Sequence, residues 1–452
     1  MTNLVASAPV DALRSACAGD VTGPGDAAYD AARQAWNLAA DQRPAAVVRA
    51  ALLADLAATV RVAREHGLRI APQGTGHGAG ALGPLDAAIL LRTDELRGVE
   101  VDPVAQIARV QAGALWDDVL AKSAPHGLAP LAGSAGDVGV VGYHLGGGLS
   151  FLGRKYGVAA KQLLAATVIT ADGQIRRVDA ESDPELLWGL RGGGSLGIVA
   201  EVEIALHAVP ALATGQLFWP IERAREVLGA WRDWAPTAPR EITTSARILR
   251  FPPDPALPEA LRGGAFVVID GAFLGDAAAC EEALAPLRAL SPSMDMFGPA
   301  GIESLTQLHM DPPMPVPVMS SHALLHDATD RILDELVALA GADAQTGLLM
   351  VELRQLGGAI AEQDGTAVLD GIQAGYALFA CGIPMGGPVP PEALAAELAA
   401  VVATAGEQHA GMFANFTESP GNTELPHARD ERLRALRTAL DPDGLLLGMH
   451  TS

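Results

Sequence analysis

Apolar positions change their spacing several times along the chain, and each change predicts a different element. In "RPAAVVRAALLADLAATVRVAREHG" a short β-prone run, Ala46 to Val48, precedes apolar residues at helical spacing that stop at Gly67. "LRIAPQ" then reads as a strand. "AAILLRT", "QIARVQAG" and "LLAATVITADGQIRRVDA" follow as strands or hairpins, the last turning at Asp172-Gly173. Helical spacing returns in "ALWDDVLAKSAPHG" and "DPELLWGLRG", and "IVAEVEIALHAVP" alternates as a strand up to Pro210. From about 215 to 400 the helices lengthen ("IERAREVLGAWRDWA", "AAACEEALAPLRAL", "ATDRILDELVALAG") and are separated by strands ("AFVVIDGAF", "GLLMVELRQLGG", "AGYALFACGIP"). The tail holds "GMFANFTES" and a helix, "DERLRALRTAL", stopped by "DPDG". The pattern predicts an α+β protein in three parts: 1–210 with a core of about 40–210, a second domain at 211–404 with a helix-covered antiparallel sheet, and a C-terminal segment at 405–452.

Composition narrows the partners. At 452 residues, 49% of them apolar, the chain is long enough for two or three buried cores. Its 53 acidic against 31 basic side chains leave a net charge of -22, which repels nucleic acid and anionic lipid alike. A phosphate-bearing ligand must then be held by local backbone N–H groups. Cys17, Cys280 and Cys381 have no metal-ligand or CxxC spacing, which predicts a reduced, cytoplasmic setting and no metal site. The N-terminus has no basic region followed by an unbroken apolar run, and no stretch reaches the ~18 apolar residues of a membrane span.

Three glycine-rich loops stand out: "APQGTGHGAG" (71–80), "GSAGDVGVVGYHLGGGLS" (133–150) and "RGGGSLGIV" (191–199). Gly74, Gly76 and Ala79 fit G-x-G-x-x-A, but Gly83-Pro84 breaks the helix that a Rossmann pyrophosphate site requires, and no P-loop sequence occurs. Residues without Cβ can turn successive N–H groups toward an anion and admit a flat ring to the backbone. Three such loops predict one long cofactor passing all of them; tight turns in a glycine-rich sheet are the alternative.

Together, "APQGTGHGAG", "DVGVVGYHLGGG", "RKYGVAA", "LLAATVITADGQIRRV", "DPELLWGLRGGG" and "LGIVAEVEIAL" resemble the PCMH-type FAD-binding domain of the vanillyl-alcohol oxidase superfamily, and "NFTE" with "ALDPDGLL" is most similar to its berberine bridge enzyme-like members. The resemblance implies FAD joined covalently, through its 8α-methyl group, to the position of His77; a neutral imidazole nitrogen is a suitable nucleophile. Ala135 stands where many relatives add a cysteine link, so a single bond is implied. The resemblance further implies FAD contacts from Gln73, Gly74, Thr75, Gly76, Gly78 and Ala79, from Gly133, Ser134, Asp137, Val138, Gly139, Gly142, Tyr143, Gly146, Gly147 and Gly148, from Gly197, Ile198 and Val199, and from Asn415 and Phe416. Phe416 replaces the tyrosine of an Asn-Tyr pair that supplies a base in several relatives.

The implied activity is a flavoprotein oxidase: hydride passes from a C–H beside a hydroxyl or amine to FAD, and O2 reoxidises it to give peroxide. A valine at position 138 accompanies oxygen access in the family. A dehydrogenase with another acceptor, or a flavin-binding protein without turnover, are the rivals. The 4% aromatic content favours a small alcohol or secondary metabolite over a stacked sugar. For the base, Glu352 and Arg354 in "VELRQLGG" share a face, as substrate-facing residues or as a surface ion pair. Glu352 is expected first, with a pKa raised by burial and restrained by Arg354, and His309, beside Asp311 in "LHMDPPMP", second. Tyr143 completes the catalytic set. "HALLH", His322 and His326, has helical spacing without a glutamate and reads as solvated or capping. Substrate identity and oligomeric state stay open.

Overall fold

The computed structural model describes residues 2–420, 425 and 430–449, so parts of the segment 405–452 lie outside the described residues. Near the N-terminus, Asp20–Thr22, Ala46–Arg49, Ala88–Arg92 and Arg69–Gln73 form a four-stranded sheet in that order, its last three strands parallel. Every residue of Ala88–Arg92 is buried, which explains its unbroken apolar run: parallel strands are covered on both faces. The helix Leu53–His66 connects two of these strands, ended by Gly67 in the left-handed region at φ 65°. After strand Arg69–Gln73 comes only a short 3-10 turn, Ala79–Leu82, and no dinucleotide-type helix.

Residues 99–205 build a second, antiparallel sheet in the order Val99–Asp102, Ile107–Gln111, Ile198–Ala205, Leu163–Ile169, Ile175–Asp179. From Leu212 a large antiparallel sheet begins: Leu212–Pro220, Ala265–Leu274, Ile242–Arg250, Leu348–Gln355, Tyr376–Gly382, Met319–Leu325 and His409–Gly411, with two short strands at its first edge. "HALLH" lies at the end of Met319–Leu325, so the helical spacing is a coincidence of sequence.

The two faces of this sheet differ. Leu217, Trp219, Ala246, Ile248, Ile269, Val351, Leu353, Leu378 and Ala380 point to one side and share a core with the helices Ala224–Trp234, Ala277–Arg288, Asp330–Ala340 and Pro391–Ala403. In Ala224–Trp234 the buried apolar side chains at 224, 227, 228, 231 and 234 form one stripe, the period expected of a helix laid on a sheet. The opposite face carries Gln216, Ser245, Arg247, Asp270, Glu352 and Arg354, all buried as well. It is closed by residues 140–156: the Arg154 guanidinium donates to the carbonyls of Leu356, Ala238, Pro239 and Ile242, tying this segment to the sheet. A polar sheet face buried against another part of the chain is where chemistry is expected. Among the described residues no helix is long and apolar enough to cross a membrane.

Candidate active site

The loop after strand Arg69–Gln73 turns through Gly76, at φ 86°, where a Cβ would lie 2.9 Å from both the Ala35 Cβ and the Gln73 Nε2. That turn lays His77 on Trp36, with ring centroids 4.0 Å apart and planes within 17°. Thr75 Oγ1 is 2.8 Å from His77 Nδ1, and Nε2 faces Asp137 Oδ1 at 3.5 Å. Trp36 Nε1 donates to the other Asp137 oxygen at 2.5 Å. Burial pushes the Asp137 carboxyl up, but the His77 ring and the Trp36 N–H bring it below the usual carboxylate range. The fold thus joins His77 to the 133–139 loop, and adds Trp36, which no motif had marked.

The short helix Val140–Gly146 carries Tyr143 inward, its ring edge-on to Trp116 at 5.2 Å. Burial pushes the Tyr143 phenol up, well above its ordinary value. Asn415 links the tail to this helix: its Oδ1 accepts from Gly148 N–H at 2.9 Å and its Nδ2 donates to Tyr143 C=O at 3.2 Å. A Cβ at Gly146 would sit 2.7 Å from Asn415, and one at Gly148 2.3 Å from the Tyr143 ring. These glycines therefore permit close approach of the protein to itself. Gly142 opens to free space, Gly133 packs on the Tyr143 ring, Gly139 and Gly74 have room, and Gly78 lies against Met449. Ser134 Oγ donates to Asp311 Oδ2 at 3.1 Å. At the third loop, Ile198 and Val199 are strand residues with core side chains, and Gly197 packs on Val168, which leaves only their backbone to face a ligand.

Three buried polar atoms of these loops, His77 Nε2, Tyr143 Oη and Gln73 Nε2, have no hydrogen-bond partner among the described residues. Buried polar atoms are normally satisfied, so unpartnered ones gathered on glycine loops fit a ligand rich in hydrogen-bonding groups, as FAD is.

The polar sheet face supplies the second half of the site. Register places Gln216, Asp270, Ser245 and Arg354 in one row and Arg247, Glu352, Phe379 and His322 in the next. His309 enters from a loop: Nδ1 is 3.1 Å from Asp270 Oδ2 and Nε2 is 3.1 Å from Glu352 Oε2. Arg354 Nε donates to Glu352 Oε1 at 2.7 Å, and its guanidinium lies 5.2 Å from the Phe151 ring and 5.8 Å from Phe416. Arg247 Nη2 is 2.5 Å from Asp270 Oδ2, and Ser245 donates to Asp270 Oδ1.

Three readings from the sequence are settled here. Glu352 and Arg354 are 2% and 6% exposed, so of the alternatives left open the surface ion pair is excluded. The Glu352 carboxyl is not raised: burial pushes it up, but Arg354 and His309 overcome that and hold it well below the usual range. For His309, burial and Arg247 act downward, while Glu352 and Asp270 prevail and hold its pKa above the ordinary value. The third concerns His322. It is buried rather than solvated, and its Nε2 accepts from Phe413 N–H at 2.9 Å. Asp270, Arg247 and Ser245 escaped the sequence reading, although a lone aspartate within the apolar run "AFVVIDGAF" was a usable signal. Among the described residues no group of three His, Cys, Asp or Glu side chains is arranged to hold a metal ion.

The chain is similar to known proteins. The family described as "FAD binding domain" matches residues 44–179. The chain is 32% identical over 220 residues to (R)-6-hydroxynicotine oxidase of Paenarthrobacter nicotinovorans, covering 48% of this chain and 45% of that one. It is 33% identical over 228 residues to glucooligosaccharide oxidase of Sarocladium strictum, 49% and 46% of the two chains. The chain thus spans about half the length of these curated relatives. Across nearly its whole length it has the fold of 6-hydroxy-D-nicotine oxidase from Arthrobacter nicotinovorans (TM-score 0.79, 23% identity, 95% and 96% covered). The same holds for xylooligosaccharide oxidase from Myceliophthora thermophila (TM-score 0.81, 21% identity, 97% of each). The likeness to the FAD-linked, berberine bridge enzyme-like proteins read from the sequence is borne out, with residues 44–179 matching the FAD binding domain family.

Proposed function

We propose that the protein is a flavin-dependent oxidase that takes hydride from a C–H next to a hydroxyl or amine of a small organic substrate, with FAD bonded to His77 and O2 as the final acceptor. The observation that carries this reading is the meeting of the two halves of the site, where Asn415 and Phe416 join the Tyr143 helix to the buried Glu352–Arg354 pair. The backbone of residues 73–79, 133–139 and 197–199 would hold FAD, with His77 Nε2 as the attachment point because Nδ1 is engaged by Thr75. Bound there, FAD supplies a two-electron acceptor for the hydride.

The chain's own groups handle the proton. Phe151 and Phe416 flank the Arg354 guanidinium, which excludes water and keeps it beside Glu352. Both Glu352 oxygens are engaged, one by Arg354 and one by His309, so the carboxylate stays ionised and acts through those partners. The pair Glu352–His309 is the acceptor for the substrate proton, and Tyr143 Oη, without a protein partner among the described residues, is a donor available to ligand. The partly buried Val138 would keep a path open for O2. The relatives' names span an amine-bearing nicotine derivative and oligosaccharides, which supports a hydroxyl or amine substrate without choosing between them. The three free cysteines suit a reducing, cytoplasmic setting.

Purified holoenzyme should be screened anaerobically with alcohols, sugars and amines for loss of flavin absorbance, then exposed to air. Bleaching followed by rapid reoxidation with peroxide is expected. Bleaching without reoxidation would make it a dehydrogenase, and no bleaching by any compound would leave a binding protein.

A further inference from the structure

This inference rests on reading the site as one that removes a hydride and a proton from its substrate. Asp270 sits on the strand Ala265–Leu274, fully buried, in the row that also holds Ser245 and Arg354. An isolated carboxylate there would be costly to desolvate, and it is compensated by three side chains at once: Ser245 on one oxygen, Arg247 and His309 on the other. Among the described residues His309 Nδ1 faces a carboxylate and no donor, whereas Nε2 faces both, so Nδ1 is the nitrogen that keeps its hydrogen. Only Nε2 can then gain or lose a proton.

Nε2 has two neighbours of opposite kind: Glu352 Oε2 at 3.1 Å, an acceptor, and Arg354 Nη2 at 3.2 Å, a donor. Protonated, Nε2 donates to Glu352; unprotonated, it accepts from Arg354. Each state has a partner without movement of the ring. A merely structural imidazolium needs only the first.

We propose that Asp270 is a positioning residue that fixes His309 through Nδ1 so that His309 Nε2 is the proton acceptor of the reaction. In that step the substrate C–H leaves as hydride, its two electrons passing to the flavin. The proton of the substrate hydroxyl or amine goes to His309 Nε2, directly or by way of Glu352. A C=O or C=N bond forms, and the imidazolium then sheds its proton to solvent before the next turnover. The charged groups facing His309 are Asp270 and Glu352, which favour its protonated form, and Arg247 and Arg354, which oppose it. The working form is the neutral ring, so flavin reduction rises with pH through the His309 pKa.

The test is anaerobic stopped-flow reduction of the holoenzyme between pH 5 and 10, alongside 15N-histidine NMR, which follows His309 without turnover. In Asp270→Asn one carboxylate is gone, so both the rising limb and the NMR titration should move to lower pH by at least ~1 unit, and the maximal rate should fall by ~10-fold or more. Ser245→Ala keeps the carboxylate but removes its hydrogen bond, and should move both by less than Asp270→Asn does. A folded, flavin-loaded Asp270→Asn protein with an unmoved limb overturns the proposal. Should that variant not fold, His309→Gln decides: the limb must vanish, and its persistence is equally fatal. If no compound reduces wild-type flavin, the oxidase reading fails, while the NMR titration still shows whether Asp270 governs His309.

Discussion

His77 and His309 carry the same side chain in opposite surroundings. His77 projects from a glycine turn, its side chain 23% exposed, stacked on Trp36, with a hydroxyl at one nitrogen and no hydrogen bond at the other among the described residues. His309 is enclosed, with a carboxylate opposite each nitrogen. His77 Nε2 meets Asp137 only at 3.5 Å and can bond to a ligand; a ring held between two carboxylates, with a guanidinium at Nε2, is placed to exchange a proton. Imidazole chemistry is set by the partners of its two nitrogens, and those partners are a neighbour, Thr75, and a loop carboxylate, Asp137, in one case and residues of two separate strands in the other.

The largest effect should come from removing the first ring. His77→Ala is expected to abolish acid-stable flavin entirely, so that the cofactor appears in the supernatant after acid precipitation while some activity remains. A mass spectrum of active wild-type protein with an unmodified His77 peptide would break the comparison at once. Next, Glu352→Gln should slow anaerobic flavin reduction by ~100-fold, the scale of a compromised general base, with flavin still attached. Reduction at the wild-type rate would mean that the buried pair holds the fold only.

Asn415→Ala probes the joint between the two regions. It leaves Gly148 N–H and Tyr143 C=O without their side-chain partner and should cost about 1–3 kcal/mol in denaturant unfolding. No change in stability would show that the tail is not what joins them. The smallest effect sharpens the contrast by isolating burial. His144 is buried against the Trp116 and Tyr143 rings with the Val140 carbonyl at its Nδ1, and desolvation lowers its pKa to about 4. The unfolded chain takes up this proton near the ordinary value of about 6.5, the folded one only near 4. Stability should therefore fall as pH drops through that window, by about 1.4 kcal/mol per pH unit for this group, and His144→Asn should remove that part of the slope. A His144 resonance titrating above His309 would contradict the whole contrast.

Much of the fold was legible along the chain. The hairpin at Asp172-Gly173, the end of the helix Leu53–His66 at Gly67 and the stripes of the helices over the large sheet are local patterns, and the structure follows them. The short strands Asp20–Thr22 and His409–Gly411 were not visible, because a strand of three residues has too little pattern to read. "HALLH" misled for a related reason: a strand buried on both faces has no polar alternation to distinguish its period from that of a helix.

The site divides in the same way. Glycine loops announce themselves, since a missing Cβ is a property of the residue, and His77 could be singled out from ten consecutive letters. By itself the sequence determined where the backbone could turn, which residues alternate on each strand, and that Glu352 and Arg354 share a face. Only the tertiary structure decided what lies opposite them. Pairing of strands that are distant in sequence set Asp270 beside Ser245, and a loop from residue 309 placed an imidazole between two carboxylates. Coulomb forces in a buried site depend on distances of a few ångströms across such pairings. The expected rise in the Glu352 pKa therefore became a fall: burial could be foreseen from the strand, whereas the second cation beside it could not.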